Sequence, residues 1–267
     1  MSVFLSSLPA IWSAILVSDL MRYLVGAFGI FLIINLALAG LLAGRKIRPD
    51  SPPIKQMVME FFVSIRTVVI FATAGGLLIA AGVTAGWIDL YLDPAERGWP
   101  WFWASVVILI VAHDAWFYWT HRLIHHPRLF RKVHRQHHRS NNPTPFTSYS
   151  FDIAEAFVNA AYLPLILLVL PASPLALFIF TGHMMLRNAV GHCGYELFPA
   201  FRGKPLLGWL TTVTHHDLHH AQAGWNFGLY FTFWDKVMGT EHPEYQEKFA
   251  KAVRYKPAKE AGYQHPS

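Results

Sequence analysis

Histidine is the residue type whose number and spacing in this chain could support chemistry. Thirteen of the fifteen histidines lie between His113 and His220. Three strings stand out in that region: HRLIH at 121–125, HRQHH at 134–138 and HHDLHH at 215–220. Residues three and four apart share one face of a helix, so His121, His134 and His216 should each meet the histidines three or four residues later. We expect imidazoles on such faces to reach a common metal ion.

The number of these candidate ligands favours two metal ions over one. The strings contribute eight candidates: His121, His125, His134, His137, His138, His216, His219 and His220. Neutral imidazole binds zinc, iron, copper and nickel alike, so these residues alone do not name the metal. Unrelated surface histidines are the simpler interpretation, but they do not account for two copies of HxxHH.

Two residues outside the strings could complete the site. His192, in the string GHCGYE, could be a ninth ligand or a structural residue beside a glycine. Asn188 lies one helical turn earlier and could supply an oxygen ligand, a hydrogen bond or only packing.

Further polar residues near the strings have alternative roles. Asp114 lies seven residues before His121 on the same helix face and could orient that ring through a hydrogen bond. Asp217 could do the same for its neighbours or be exposed. His113 is predicted at a helix end or beside the ligands. His183 lies in an apolar segment, where a polar residue is either functional or bonds another helix. The other histidines should point away from the metal or lie on the surface: His126, His215, His242 and His265.

The composition is that of a membrane protein. Hydrophobic residues make up 54% of the chain and charged residues only 14%, whereas soluble domains carry about a quarter. The net charge of +6 does not favour nucleic-acid binding, because the basic residues flank apolar runs. Cys193 is the only cysteine, which excludes an intramolecular disulfide and a cysteine-ligated cluster. The uncharged first eighteen residues lack the basic region of a secretory signal.

Three apolar runs are long enough to be membrane spans. About 20 apolar residues cross a bilayer as a helix. The predicted spans cover residues 23–44, 67–88 and 98–112, and the third continues helically beyond His113. Residues 156–186 are uncharged but interrupted by prolines, too long for one crossing and too short for two. They predict a re-entrant hairpin that turns near LPASP.

The charges predict the orientation of these spans. The loop at 45–66 and the segment at 121–139 are rich in Arg and Lys, whereas the loop at 89–97 is acidic. By the positive-inside rule, the two basic segments are cytoplasmic and the acidic loop lies outside. All histidine strings would then lie at the cytoplasmic face.

Together these patterns predict an all-α fold of multi-pass membrane helices with a cytoplasmic, histidine-rich metal-binding cap. No linker or internal repeat divides the chain, so we expect one integral-membrane domain over 1–267. Its parts would be membrane helices at 1–112, a histidine-box region at 113–242 and a cytoplasmic tail at 243–267.

The histidine strings resemble those of a known family. The runs HDAWFYWTHRLIHH, HRQHHRSNNPTPFTS, GHCGYE and HHDLHHAQAGWNFGLYFTFWDKVMGT are similar to the fatty acid hydroxylase and sterol desaturase superfamily over roughly residues 105–242. The resemblance implies nine metal ligands: His121, His125, His134, His137, His138, His192, His216, His219 and His220. Some members carry a further histidine where this chain has Asn188, which favours sterol-type or related bacterial members.

This resemblance implies an enzyme that hydroxylates or desaturates a lipid of the sterol or fatty-acyl type. The expected cofactors are two iron ions, for which zinc could substitute, and O2. No catalytic residue beyond the metal ligands is predicted. Because no flavin, haem or ferredoxin signature is present, the electrons should come from a separate donor protein. The terminus YQHPS is not a retrieval signal, which favours a bacterial inner membrane over the endoplasmic reticulum.

Two other classes of protein use membrane histidines. A metal transporter would place its ligands midway across the membrane, often with carboxylates on broken helices. A b-type cytochrome would need paired histidines within spans, where HxxHH has no role. The strings lie outside the apolar runs, so an oxygenase is the favoured interpretation, with a transporter or metal-binding protein as the alternative.

Overall fold

The computed structural model describes the backbone of residues 2–254 and the side chains of residues 8–254. His265 therefore lies outside the described residues. The described chain is mostly helical, which confirms the all-α prediction. Its α-helices are α1 (Ser2–Tyr23), α2 (Ile54–Ile70), α3 (Leu77–Thr84), α4 (Trp99–Ile124), α5 (Pro127–Val133), α6 (Arg135–His138), α7 (Ile153–Ala160), α8 (Tyr162–Leu167), α9 (Pro174–Gly191), α10 (Val213–Ala221), α11 (Phe233–Val237) and α12 (Tyr245–Ala252).

The remaining regular elements are short. Turns of π-helix at Leu24–Phe28 and Phe31–Ala37 prolong α1, and another at Phe71–Gly76 joins α2 to α3. The 3₁₀ helices are Ala43–Arg45 and Pro145–Tyr149. The strands β1 (Ala200–Phe201) and β2 (Lys204–Pro205) pair antiparallel, with Phe201 opposite Lys204. Arg202 and Gly203 both have positive φ at the turn, as a two-residue hairpin of the primed type requires.

Three helices are long and apolar enough to cross a membrane, but their bounds differ from the prediction. They are Leu8–Ala37, Ile54–Thr84 and Trp99–Ile124. The first was predicted at 23–44, with Arg22 as its boundary. Instead Arg22 lies within the helix, because its guanidinium pairs with Asp19 one turn earlier.

The second span also begins earlier than predicted because polar side chains within it find partners, whereas the third continues beyond His113 as predicted. Glu60, on α2, is fully buried and accepts hydrogen bonds from Gln56 and Thr144. Arg66 donates to the carbonyl of Phe151. A buried polar group that is hydrogen-bonded does not have to end an apolar helix. Charge alone therefore placed the N-terminal boundaries of the first two spans too late in the chain, and their predicted ends at 44 and 88 lie a few residues beyond the observed ends.

The sides of the spanning helices carry exposed apolar side chains. Val25 is 67% exposed, Phe62 is 66% exposed and Val107 is 58% exposed. Such contiguous apolar surface is costly in water but is the expected surface against lipid. The helices therefore have both the length and the surface of membrane spans.

The apolar segment after residue 152 forms the predicted hairpin. Its arms are α7 with α8, and α9, and the side chain of Ser173 caps the start of α9 by accepting from Ala176. The tip contacts the loop that precedes α4: Ala172 donates to the carbonyl of Asp89, and Trp101 donates to Pro171. The hairpin tip therefore lies at the end of the molecule that holds the acidic loop.

The opposite end of the molecule holds the histidine strings and the basic loop that follows the first span. Ile47 donates to the carbonyl of Gly194 at 3.0 Å, and Arg48 Nε lies 2.8 Å from Asp217 Oδ1. The 3₁₀ helix Pro145–Tyr149 ties this cap to the spans, because Tyr23 and Ser64 both donate to the carbonyl of Phe146. The charge pattern thus correctly placed this loop and the histidines on one side.

Part of the region predicted as a tail belongs to the folded cap. Helix α12 packs its buried Tyr245 and Phe249 onto α10, where Tyr245 Oη lies 3.1 Å from Thr212 Oγ1. The two aromatic rings are four residues apart and therefore share one helix face. Residues 255–267 of the predicted tail lie outside the described residues.

Candidate metal centre

Helix α4 supplies the first two candidate ligands. His121 lies in its last turn and His125 caps its C-terminus, so one helical turn separates them and their ring centroids are 4.8 Å apart. The Nδ1 atom of His121 lies 2.9 Å from the carbonyl oxygen of Phe227. That carbonyl holds the His121 ring in one orientation and leaves Nε2 facing His134.

The first HxxHH string does not form one continuous helix. His134 has φ −136° and separates α5 from α6, which carries His137 and His138. The break turns His134 and His138 toward α4, where Nε2 of His138 lies 3.2 Å from Nε2 of His125. His137 points elsewhere, and its ring centroid lies 4.7 Å from that of His220.

The second HxxHH string lies on α10, whose N-terminus Thr212 caps by accepting from the backbone of His215. His216 and His220 face His192, the C-cap residue of α9, and Nε2 of His216 lies 2.9 Å from Nε2 of His192. His219 faces α4 instead, with its ring centroid 4.5 Å from that of His121.

The nine histidines predicted as ligands therefore form two groups. Within each group the ligand atoms all lie within 4.8 Å of one another. The first group consists of His121, His125, His134, His138 and His219. The second group consists of His137, His192, His216 and His220. The groups are adjacent, because the ring centroids of His138 and His220 are 5.1 Å apart.

Each HxxHH string divides between the groups in the same way. The first and last histidines of each string share a group, and the middle one joins the other group. The middle histidine is His137 in the first string and His219 in the second. The expectation that the first histidine of each string would meet both others is therefore wrong. Adjacent helical residues point about 100° apart, so the two neighbouring histidines of HxxHH cannot serve one centre equally.

The chemistry of the donor atoms fits bound cations. His192 and His219 each direct Nδ1 to a carbonyl oxygen at 2.7 Å, from Asn188 and Trp225 respectively. A proton on Nδ1 leaves a lone pair on Nε2. Lone pairs on Nε2 atoms about 3 Å apart, as in each group, would repel unless a cation lay between them. Each group could therefore hold one metal ion.

Burial keeps these imidazoles neutral, as metal ligation requires. It lowers the pKa of His192 and of His219 to about 4. Burial, followed by the proximity of the other imidazoles, lowers the pKa of six further histidines: His125, His134, His137, His138, His216 and His220. Their ligation of metal stays a prediction that this geometry supports.

Two predicted orienting residues have other partners. Asp114 does not contact His121, because the seven residues between them place it nearly two helical turns away. Its Oδ1 instead accepts from the backbone N–H groups of Tyr230 and Phe231. Asp217 is buried, not exposed, and it pairs with Arg48. Each carboxylate joins segments of the fold.

Asn188 orients a candidate ligand through its backbone. Its carbonyl accepts from His192, while its side-chain Nδ2 donates to the carbonyl of Ser148 at 2.8 Å. The side-chain nitrogen thus joins α9 to the 3₁₀ helix Pro145–Tyr149.

The other histidines are divided between surface and interior. His126 is exposed and His215 packs against Tyr245, away from both groups, as predicted. His242 is buried, contrary to prediction, because Asn226 accepts from its backbone N–H. His183 packs on Tyr230 with ring centroids 4.7 Å apart.

The sequence interpretation missed Glu155, a buried carboxylate beside the first group. Its Oε1 lies 2.8 Å from Nδ1 of His134, and both side chains are almost inaccessible to solvent. A carboxylate placed there raises the basicity of a ligating imidazole and sets its tautomer. The signal available was an acidic residue at the edge of a long uncharged run.

An apolar cavity of about 440 Å³ runs from the hairpin tip to the histidine groups. Leu90, next to the tip, lines one end. At the other end are Phe117, whose ring centroid lies 4.8 Å from His121, and Phe151, whose centroid lies 5.4 Å from His137. The cavity therefore ends beside both groups.

Comparison with known proteins identifies the family. The fatty acid hydroxylase family pattern matches residues 106–240, just over half of the chain. A Delta(7)-sterol 5(6)-desaturase of Gibberella zeae is 30% identical over 160 residues, which cover 60% of this chain and 48% of the relative. Lathosterol oxidase of Mus musculus is 30% identical over 164 residues, covering 59% of this chain and 52% of the relative.

Cholesterol 25-hydroxylase of Rattus norvegicus is 31% identical over 139 residues, covering 51% of this chain and 46% of the relative. The chain spans about half the length of the curated relatives it matches. No solved structure is significantly similar to it. The matched region contains every histidine of both groups, and the chain belongs to the fatty acid hydroxylase and sterol desaturase superfamily.

Proposed function

We propose that this chain is a membrane-bound, O2-dependent di-iron enzyme that hydroxylates or desaturates a lipid. The observation that carries this proposal is the apolar cavity that ends beside the two histidine groups. A pocket of this size and character suits an acyl chain or a fused ring system. The names of the relatives include both desaturases and a hydroxylase, which supports this class of reaction.

Each histidine group would hold one iron through one nitrogen of each imidazole. The first group offers five imidazoles and the second offers four. Two irons bound there would supply the reduction of O2 to an oxidant able to take hydrogen from an unactivated C–H bond. Zinc would occupy the same imidazoles without redox chemistry.

The residues of the chain prepare the site for that chemistry. The carbonyls of Phe227, Asn188 and Trp225 hold three imidazoles with Nε2 toward the metal. Phe117 and Phe151 line the cavity where it ends beside the groups, and their apolar rings would keep water away from the reacting carbon. The lipid is thereby held in a dry site next to both ions.

A separate electron donor would complete the reaction. Helices α5 and α6 cover the first group with an exposed basic surface formed by Arg128, Arg131, Lys132, Arg135 and Arg139. An acidic electron-transfer protein would be attracted to this surface and brought close to the irons. We call these five residues the basic surface.

The membrane location is proposed from charge and position. The basic surface and the basic loop at 45–50 lie at one end, so that end would face the cytoplasm. The relatives named above come from a fungus and two rodents and do not support the predicted preference for a bacterial inner membrane. The transporter alternative has less support, because the groups lie at one end of the spans and not midway.

Metal stoichiometry tests the proposal. We expect about two irons per chain in detergent-purified protein from iron-supplemented cells. His137→Ala and His138→Ala should each reduce the content toward one iron, because these neighbours serve different groups. The double variant should bind almost none. His126→Ala is the matched control, since His126 is exposed and adjoins His125 without joining either group.

Mass spectrometry of the metals gives the readout, and lipid profiles of expressing cells then show the oxidised product. Zinc in the same ratio would support the ligand geometry. The activity of the protein after iron loading would then test the proposal. Absence of bound metal, or one ion that is indifferent to both substitutions, would contradict the proposal.

A further inference from the structure

His113 lies on the wall of the cavity, outside both histidine groups. It was expected at a helix end, but it lies in the middle of α4 and is only 4% exposed. It borders the same cavity as Phe117, one helical turn nearer the first group. A histidine at such an apolar site needs hydrogen-bond partners, because burying an unsatisfied polar group is costly.

One nitrogen of His113 has a partner that determines the tautomer. Nδ1 lies 2.9 Å from the hydroxyl oxygen of Tyr230, and Tyr230 is fully buried. That hydroxyl has no other hydrogen-bond partner among the described side chains of residues 8–254 and backbone of residues 2–254, so its proton is satisfied by donation to Nδ1. A neutral imidazole that accepts at Nδ1 carries its proton at Nε2.

The Nε2–H group of His113 remains available to a molecule in the cavity. No side chain of residues 8–254 and no backbone group of residues 2–254 accepts from it. Two other polar groups on the wall are already used: Tyr162 donates to the carbonyl of Leu109 at 2.6 Å, and Thr181 donates to that of Leu177 at 2.7 Å. An oxygen atom of a bound lipid would satisfy the His113 donor.

We propose that His113, oriented by Tyr230, donates a hydrogen bond to an oxygen atom of the lipid in the cavity. The preferred ligands are lipids that carry a hydroxyl, ether or carbonyl oxygen within the apolar cavity, as opposed to plain hydrocarbon. The proposal rests on the proposed function, because it takes the molecule in the cavity to be a lipid. His113 is a specificity-determining residue in this proposal and not a metal ligand.

The position of His113 also sets which part of the lipid reaches the irons. Eight residues separate His113 from His121, which is about 12 Å along a helix. A lipid anchored at His113 therefore presents a carbon several bonds away from its oxygen to the first group. The anchor would select the position of oxidation along the chain or ring.

Binding of matched lipid pairs tests the inference without requiring turnover. The probes are radiolabelled 5α-cholestan-3β-ol with 5α-cholestane, and 1-octadecanol with octadecane, applied to iron-loaded protein in detergent. We expect at least one alcohol to bind about tenfold more tightly than its hydrocarbon, the range of one buried hydrogen bond. The pair that shows the preference tells a ring substrate from an alkyl chain.

Variants assign the preference to His113. His113→Leu should abolish it, whereas His113→Gln, which keeps an N–H donor, should retain most of it. Tyr230→Phe should weaken it severalfold, because the tautomer is no longer determined. Thr181→Val is the matched control on the same wall and should keep the preference, because the Thr181 hydroxyl is already used by the helix backbone.

Equal binding of alcohol and hydrocarbon in both pairs, or an unchanged preference in His113→Leu, would overturn the inference. Iron content and gel filtration of each variant identify misfolded protein. If His113→Leu does not fold, the binding preferences of His113→Gln and Tyr230→Phe test the inference instead. Loss of iron binding in the wild-type chain with an intact alcohol preference would sink the proposed function alone. Normal iron content without any preference would sink this inference alone.

Discussion

At the scale of single residues, the centre depends on histidines that are kept neutral by burial. His192 and His219 have pKa values of about 4, below the usual value near 6.5. This neutrality costs stability at low pH, because these histidines accept protons below pH 6.5 in the unfolded chain but not in the folded chain. A cation between the imidazoles would use the same lone pairs that protons would otherwise take.

We therefore expect the metal-stripped protein to lose stability as the pH falls from about 6.5 toward 4. Each excluded proton lowers the free energy of unfolding by about 1.4 kcal/mol per pH unit in that window. Burial raises the pKa of Asp235 to about 6 and also raises the pKa of Glu155, Glu196, Asp217 and Glu241. These five carboxyls act in the opposite direction, but the eight histidines with lowered pKa outnumber them. Denaturant unfolding in mixed micelles at pH 5 to 8 measures the slope. A flat or inverted profile would contradict neutral, buried histidines.

At the scale of elements, the second group depends on helices held from outside the centre. Helix α10 carries His216 and His220, and α12 packs along it through the fully buried Phe249. Arg48, from the loop after the first span, pairs with Asp217 on the same helix. The orientation of α10 is therefore set by segments far apart in the sequence.

Phe249→Ala should destabilise the protein by about 3–5 kcal/mol, the usual cost of removing a buried phenylalanine. Because the cavity it leaves lies under α10, iron affinity should fall as well. Phe233→Ala is the matched control: Phe233 is 58% exposed, and we expect a change within about 0.5 kcal/mol. Chemical unfolding and iron titration measure the two effects. Equal losses in both variants would show that α12 does not support the centre.

At the scale of the whole molecule, charge and apolar surface are separated along the spans. One end carries the histidine groups with the basic surface, and the other carries the loop with Asp89 and the hairpin tip. The apolar cavity connects the two ends. A lipid substrate and an electron donor could therefore approach without competing for one entrance.

Reversal of charge on the basic surface should slow electron delivery. Arg131→Glu, Lys132→Glu and Arg135→Glu combined should reduce the rate of iron reduction by an acidic ferredoxin about tenfold at low salt. The rate with dithionite should not change, and the difference should shrink as salt screens the charges. Arg97→Glu, in the loop at the other end, is the control. An equal loss with dithionite would indicate damage to the centre and contradict a docking role.

The histidine spacing and the apolar runs alone determined much of this protein. They indicated a helical membrane protein, three spans, a hairpin near LPASP and eight candidate ligands on one side, to which the family resemblance added His192. These features are readable because helix periodicity and bilayer thickness act locally along the chain. Span boundaries were misplaced where a charged residue finds a partner within the fold, as Arg22 does with Asp19 one turn earlier and Arg66 does with the carbonyl of Phe151.

Only the tertiary structure decided how the candidate ligands are divided. The exchange of His137 and His219 between the groups follows from the break at His134 and from the angle at which α10 meets α4, neither of which periodicity encodes. The cavity, Glu155 beside His134 and the Tyr230 contact of His113 also arise from packing between distant segments. Spacing along a helix determines which side chains share a face, whereas long-range contacts determine what that face meets.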